Sequence, residues 1–170
     1  MGIWIKMPLL KLFGALLLLV SCGGLGASRV AALRRSVEDT AELRRAVERM
    51  ETEICVRCRS LPETVNLLET AFPRFFSGMG DMDSSLLDAP FSQVWMGYFR
   101  NMELPTDTEK AVCALGEDLS AGAKPEAAFK LCLQQLSSSE SELRNKLEKN
   151  GRVYIASGLA AGCLLVIAAL

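Results

Sequence analysis

Apolar and charged positions are distributed unevenly along this chain. Residues 12–28 read LFGALLLLVSCGGLGAS and residues 153–170 read VYIASGLAAGCLLVIAAL, both without a charge, while every Asp and Glu falls between Glu38 and Glu148. A membrane-crossing helix needs about 20 mostly apolar residues to cover about 30 Å of hydrocarbon. The first run reaches that length when the long stems of Lys11 and Arg29 snorkel, and the second carries Tyr154 at an interfacial position. The pattern predicts a short tail at 1–11, transmembrane helices at 12–32 and 153–170, and a soluble domain at 33–150.

Within the soluble stretch, Leu33, Val37, Val47, Met50, Ile54 and Cys58 recur at helical spacings with Arg and Glu on the other faces, predicting one long amphipathic helix to about Arg59. Glu53 and Arg57 form a favourable i, i+4 pair on it. Ser60-Leu61-Pro62-Glu63 supplies a cap and a first-turn proline for a second helix, from Pro62 to about Phe72. Pro73 and the glycine-containing stretch 78–83 mark loop around a short Phe75-Phe76 segment. Pro90 opens a third helix, ending near Met102, whose Phe91, Val94, Trp95, Tyr98 and Phe99 form the aromatic heart of the expected core. Thr106-Asp107-Thr108-Glu109 matches a capping box, starting a helix through Ala111, Val112, Leu115 and Leu119 that stops at Gly122. Pro125 opens the last helix, which carries Ala128, Phe129, Cys132, Leu133, Leu136, Leu143 and Leu147 on one stripe and continues toward the second span. Glu140 with Arg144 and Glu142 with Lys146 occupy its outer face. No segment shows sustained apolar and polar alternation. The expected fold class is therefore all-α, an antiparallel helical bundle flanked by an N-terminal and a C-terminal transmembrane helix.

Composition narrows the chemistry. The 170 residues contain no His, which removes the commonest general base and neutral metal ligand. From Arg29 to Arg152 there are 17 basic and 20 acidic side chains, a balance of −3 that argues against nucleic acid. Basic residues near the spans set orientation. Arg29, Arg34, Arg35, Arg44 and Arg45 come after the first span and Arg144, Lys146, Lys149 and Arg152 precede the second, against Lys6 and Lys11 on the far side. The central domain is accordingly expected in the cytoplasm.

Four motifs bear on function. Leu19-Val20-Ser21-Cys22 is similar to a lipoprotein signal, with Cys22 as the lipid anchor of an extracytoplasmic helical protein, and this is the alternative reading. Apolar sequence continuing past Cys22 and a second span both argue against it. Cys55-Val56-Arg57-Cys58 has the spacing of a zinc or redox pair, but the βαβ context and two further paired ligands are lacking, so the thiols are expected to pack as small hydrophobes. Gly158 and Gly162 form a G-x-x-x-G on which another membrane helix could pack. No phosphate-binding loop is present, and no catalytic residue, cofactor site or metal site is expected.

The order of several motifs resembles the stage III sporulation protein AB family. The resemblance rests on Leu10-Lys11-Leu12-Phe13-Gly14-Ala15, on the arginine-rich helix ending in Met50-Glu51-Thr52-Glu53-Ile54, on Leu61-Pro62-Glu63, on the stretch from Leu104 to Leu119, and on the terminal span. The chain departs from the family pattern after Leu119, where it has Ser120-Ala121-Gly122-Ala123-Lys124-Pro125. The resemblance implies a domain similar to the cytoplasmic bundles of the F-type platform protein in type II secretion. It further implies a non-enzymatic mother-cell membrane component that couples a secretion-type ATPase to the other channel subunits, with no small-molecule substrate. Because a protein without catalytic groups acts through its surfaces, Arg44, Arg45, Glu48 and Glu53 with the Leu61-Pro62 turn are the expected docking face.

Overall fold

A computed structural model describes residues 6–79 and 90–169, leaving out the side chains of 6–20 and of several residues in 22–25 and 155–169. Among the described residues all regular structure is helical. Helix α1 (Lys6–Glu51) passes into a π-helical turn (Thr52–Val56), followed by α2 (Leu61–Ala71), α3 (Pro73–Phe76), α4 (Phe91–Arg100), α5 (Thr106–Ser120) and α6 (Pro125–Ala169). The chain divides into two compact units, one of 36–142 and one formed by 1–35 with 143–170. The helical-bundle character lies in the first.

Local chemistry sets the helix boundaries. Ser60 has the extended backbone of an N-cap and Pro62 lies in the first turn of α2, as the sequence predicts. Ser60 contributes its carbonyl rather than its hydroxyl, accepting from Thr64 N at 3.1 Å and from Thr64 Oγ1 at 2.9 Å. Helix α5 ends as expected at Gly122, whose φ of 74° is a left-handed conformation that glycine adopts without steric cost. Ala123 N donates to the Asp118 carbonyl at 3.1 Å and Ala121 N to that of Glu117 at 2.9 Å, closing the helix end. The capping box at Thr106 does not form. Pro105 is the N-cap, since its carbonyl already accepts from Glu109 N at 2.9 Å, and Thr106 is the first helical residue.

Trp95, Phe99, Phe76, Phe129, Leu43, Met50, Leu68 and Leu115 are fully buried and join all six helices of the 36–142 unit into one core. Its aromatic centre is tilted and edge-on rather than stacked, with Trp95 and Phe99 centroids 4.8 Å apart and Phe76 and Phe99 at 5.9 Å and 78°. Trp95 of α4 packs against α5, where its Nε1–H donates to the Val112 carbonyl at 2.8 Å. Gly116 makes this contact possible, because a Cβ there would sit 2.8 Å from Trp95 Cγ and closer still to Cδ1. A second, polar layer ties three helices. Thr40 Oγ1 and Thr108 Oγ1 are 3.0 Å apart, Thr108 Oγ1 and Ser139 Oγ 3.1 Å, and all three residues are buried. At the edge, Arg74 of α3 pairs with Asp39 of α1 at 2.6 Å.

In the other unit, Val30 and Arg34 of α1 and Leu147, Gly151 and Arg152 of α6 line a shallow cleft. Among the described residues no helix is long and apolar enough to cross a membrane. The spans expected at 12–32 and 153–170 include many side chains outside the described residues, Cys22, Gly158 and Gly162 among them. Of the two expected loop glycines, Gly80 also lies outside them, whereas Gly78 is described with a left-handed φ of 81°.

The fit of Trp95 on Gly116 yields a direct test. Gly116→Ala should destabilise the bundle by about 2–3 kcal/mol through overpacking, read as a lower thermal midpoint by circular dichroism of the full chain in detergent. An unchanged midpoint would show that the ring can retreat without cost.

Candidate functional site: arginines around a buried carboxylate

The end of α1 is built around Glu53, whose side chain is 0% exposed. A buried carboxylate is stable only when opposite charge and hydrogen bonds replace its water. Three guanidinium groups do so. Arg49 Nε lies 3.1 Å from Oε1, Arg57 Nη1 3.0 Å from Oε1 and 3.3 Å from Oε2, and Arg59 Nε 3.3 Å from Oε2. These arginines remain 47%, 50% and 40% exposed, respectively. Three cations thus converge on one carboxylate, while Glu51 and Glu126 lie close enough to raise the neighbouring Cys55 thiol.

The backbone brings them together through the π-helical turn. Arg57 N reaches back five residues to the Thr52 carbonyl at 3.1 Å, and Arg59 N six residues to that of Glu53 at 3.0 Å. Such insertions add a residue per turn and rotate the downstream side chains relative to an α-helix. Cys58, expected on the core face four residues after Ile54, is consequently exposed, with a left-handed φ of 52°. This corrects the expectation that it packs inside. The reversal at Cys58 lets Arg59 return to Glu53.

Of the expected docking residues, Arg44 is half-buried, ion-paired with Glu48 on its own helix and with Glu140 of α6 at 3.0 Å. Glu140 therefore faces α1, although the sequence pattern assigns it to the outer face of α6. Arg45 is exposed and donates from Nε to the Ala41 carbonyl at 3.3 Å. Leu61 and Pro62 are half-buried at the start of α2, Leu61 against the core. Glu53 is the organising centre beneath the cluster rather than part of its outer face. The sequence-level pair of Glu53 with Arg57 is present, whereas the contacts of Arg49 and Arg59 go beyond the predicted pairing. Arg49 is accessible from its own i, i+4 spacing to Glu53; Arg59 is not, because its contact depends on the π-turn.

The remaining thiols differ in environment. Burial pushes Cys132 up to about 12, with Asp118 adding to the effect. Burial also raises Cys55, with Glu51, Glu126 and Cys58 contributing, and Cys113, with Glu109 next. Among the described residues no cluster of His, Cys, Asp or Glu is arranged to hold a metal ion. An open cleft of about 400 Å³ between α5 and α6, lined by Asp107, Lys110, Gln135, Ser138 and Glu142 among others, brings a lysine near carboxylates but no nucleophile paired with a base.

The described geometry is that of a small helical-bundle protein whose most developed polar site is an arginine cluster on a single buried carboxylate. The chain matches the stage III sporulation protein AB family over residues 11–170 and belongs to it. No curated protein and no solved structure matches the chain.

These environments lead to two expected outcomes. Glu53→Gln keeps the shape but leaves three guanidinium groups converging on a neutral amide. Breaking a buried pair costs about 3–5 kcal/mol, and the half-exposed arginines reduce this to about 2–3. Urea titration should show that loss, and a cost below about 0.5 kcal/mol would mean that the carboxylate does not organise this corner. In iodoacetamide labelling near pH 8, Cys58 should react in the native chain. Cys132 should react only on unfolding, since a thiol titrating near 12 is almost wholly protonated there and is also buried.

Proposed function

We propose that this protein is a non-enzymatic, membrane-anchored component of the stage III sporulation channel, coupling a cytoplasmic ATPase to the membrane complex. The observation that carries this reading is the family match over 11–170, which includes both uncharged runs and the helical bundle between them. The two runs cross the membrane, and the nine basic residues flanking them on the central side hold the bundle in the mother-cell cytoplasm. Gly158 and Gly162 provide a close-packing face for a neighbouring membrane helix. Arg45 and the exposed parts of Arg44, Glu48, Leu61 and Pro62 contribute to the face that docks the ATPase, and Glu53 acts from beneath as its organiser.

A bundle tethered at both ends suits this role because displacement of a bound cytoplasmic partner is transmitted to two membrane helices at once. In support, the described bundle holds a set of half-exposed guanidinium groups in fixed positions on Glu53, a feature suited to contact with a partner.

Topology and partnership are testable together. In a variant retaining only Cys58, a membrane-impermeant maleimide should label the chain in lysed but not in intact sporulating cells, and the ATPase should co-purify with the detergent-extracted protein. Labelling in intact cells, together with a diacylglycerol-modified Cys22 at a processed amino terminus of the wild-type chain, would replace this reading with the lipidated extracytoplasmic one.

A further inference from the structure

We propose that Arg49, Arg57 and Arg59, with the neighbouring Val56, form a preorganised docking surface for an acidic, amphipathic segment of a protein partner. This inference deepens the reading of the protein as a channel component and rests on it for the partner's identity. The surface itself is argued from geometry. Each guanidinium carries five N–H donors in a planar fork, and each is held to Glu53 through one nitrogen, leaving further donors at side chains that remain 40–50% exposed. Because Glu53 restrains all three, less side-chain entropy is lost when a partner's carboxylates pair with them.

Val56, 75% exposed in the π-helical turn beside Arg57, supplies an apolar contact next to the charges. A lone exposed valine is ordinary. Next to fixed guanidinium groups it matches a helix carrying carboxylates and one aliphatic side chain. The charge balance selects a protein over a lipid surface or nucleic acid. The domain from Arg29 to Arg152 carries 17 basic against 20 acidic side chains, so an extended polyanion is not attracted at long range, whereas the three half-exposed guanidinium groups held side by side on Glu53 pair with a short acidic segment.

The test uses the full chain in phosphatidylcholine nanodiscs and a fluorescent helical peptide of Glu and Ala with one central Leu. Wild type should bind the peptide, with affinity falling as salt rises toward about 0.5 M. Arg57→Gln with Arg59→Gln should weaken binding at least about tenfold. Val56→Glu, which removes none of the three arginines or Glu53 and sets a competing carboxylate beside them, should also weaken it several-fold, and keeps the test decisive if the double variant misfolds. Equal binding by wild type and Val56→Glu, or no binding by wild type, overturns the proposal. So does capture of phosphatidylglycerol vesicles by wild type in place of peptide, which assigns the cluster to lipid. If the ATPase co-purifies undiminished with Val56→Glu, the docking surface is wrong and the channel reading survives. If wild type binds peptide but never the ATPase, the channel reading fails and the surface stands.

Discussion

Taking the Glu53 carboxylate out of water is the constraint around which this end of the protein is organised. An unpaired charge in that position is not tolerable, and the chain meets it with three arginines drawn from three successive segments: Arg49 from α1, Arg57 at the close of the π-turn, and Arg59 from the link to α2. One side chain thereby determines where α1 ends and how the chain turns toward α2. It also gathers cations that would otherwise repel each other and diverge into solvent. The local structure and the candidate interaction site are the same set of contacts.

Farther along the bundle, specificity comes from two other devices. The hydroxyls of Thr40, Thr108 and Ser139 satisfy one another inside the core, with Thr40 Oγ1 also 2.9 Å from the Ser36 carbonyl. Sliding α5 or α6 would separate the Thr108 and Ser139 hydroxyls, and leaving a buried hydroxyl without its partner is costly. Trp95 on Gly116 supplies the aromatic counterpart, a large ring seated where only a hydrogen fits and pinned by the hydrogen bond to Val112.

The chain belongs to the stage III sporulation protein AB family. At the end of α1 the described bundle holds three half-exposed arginines on one buried carboxylate. The cysteines divide as well: Cys132 is a buried core side chain, while Cys58 is carried to the surface by the same turn that assembles the arginines.

Much of this was legible in the sequence because it depends on neighbours along the chain. The all-helical class, the start of α2 at Leu61-Pro62, the stop at Gly122, the opening of α6 at Pro125 and the aromatic character of α4 arise from spacing, ring constraints and glycine's access to positive φ. So does family membership, since the motif order survives in one dimension. The π-turn, and with it the exposure of Cys58 and the arrival of Arg59 at Glu53, was not legible, because one inserted residue per turn shifts a helical phase without leaving a periodic trace. Nor were the burial of Thr108, the turn of Glu140 toward Arg44, or the need for Gly116. Each is decided by which helix lies opposite, and a carboxylate or hydroxyl placed on a helical face carries no sign in the sequence of whether water or another side chain will satisfy it.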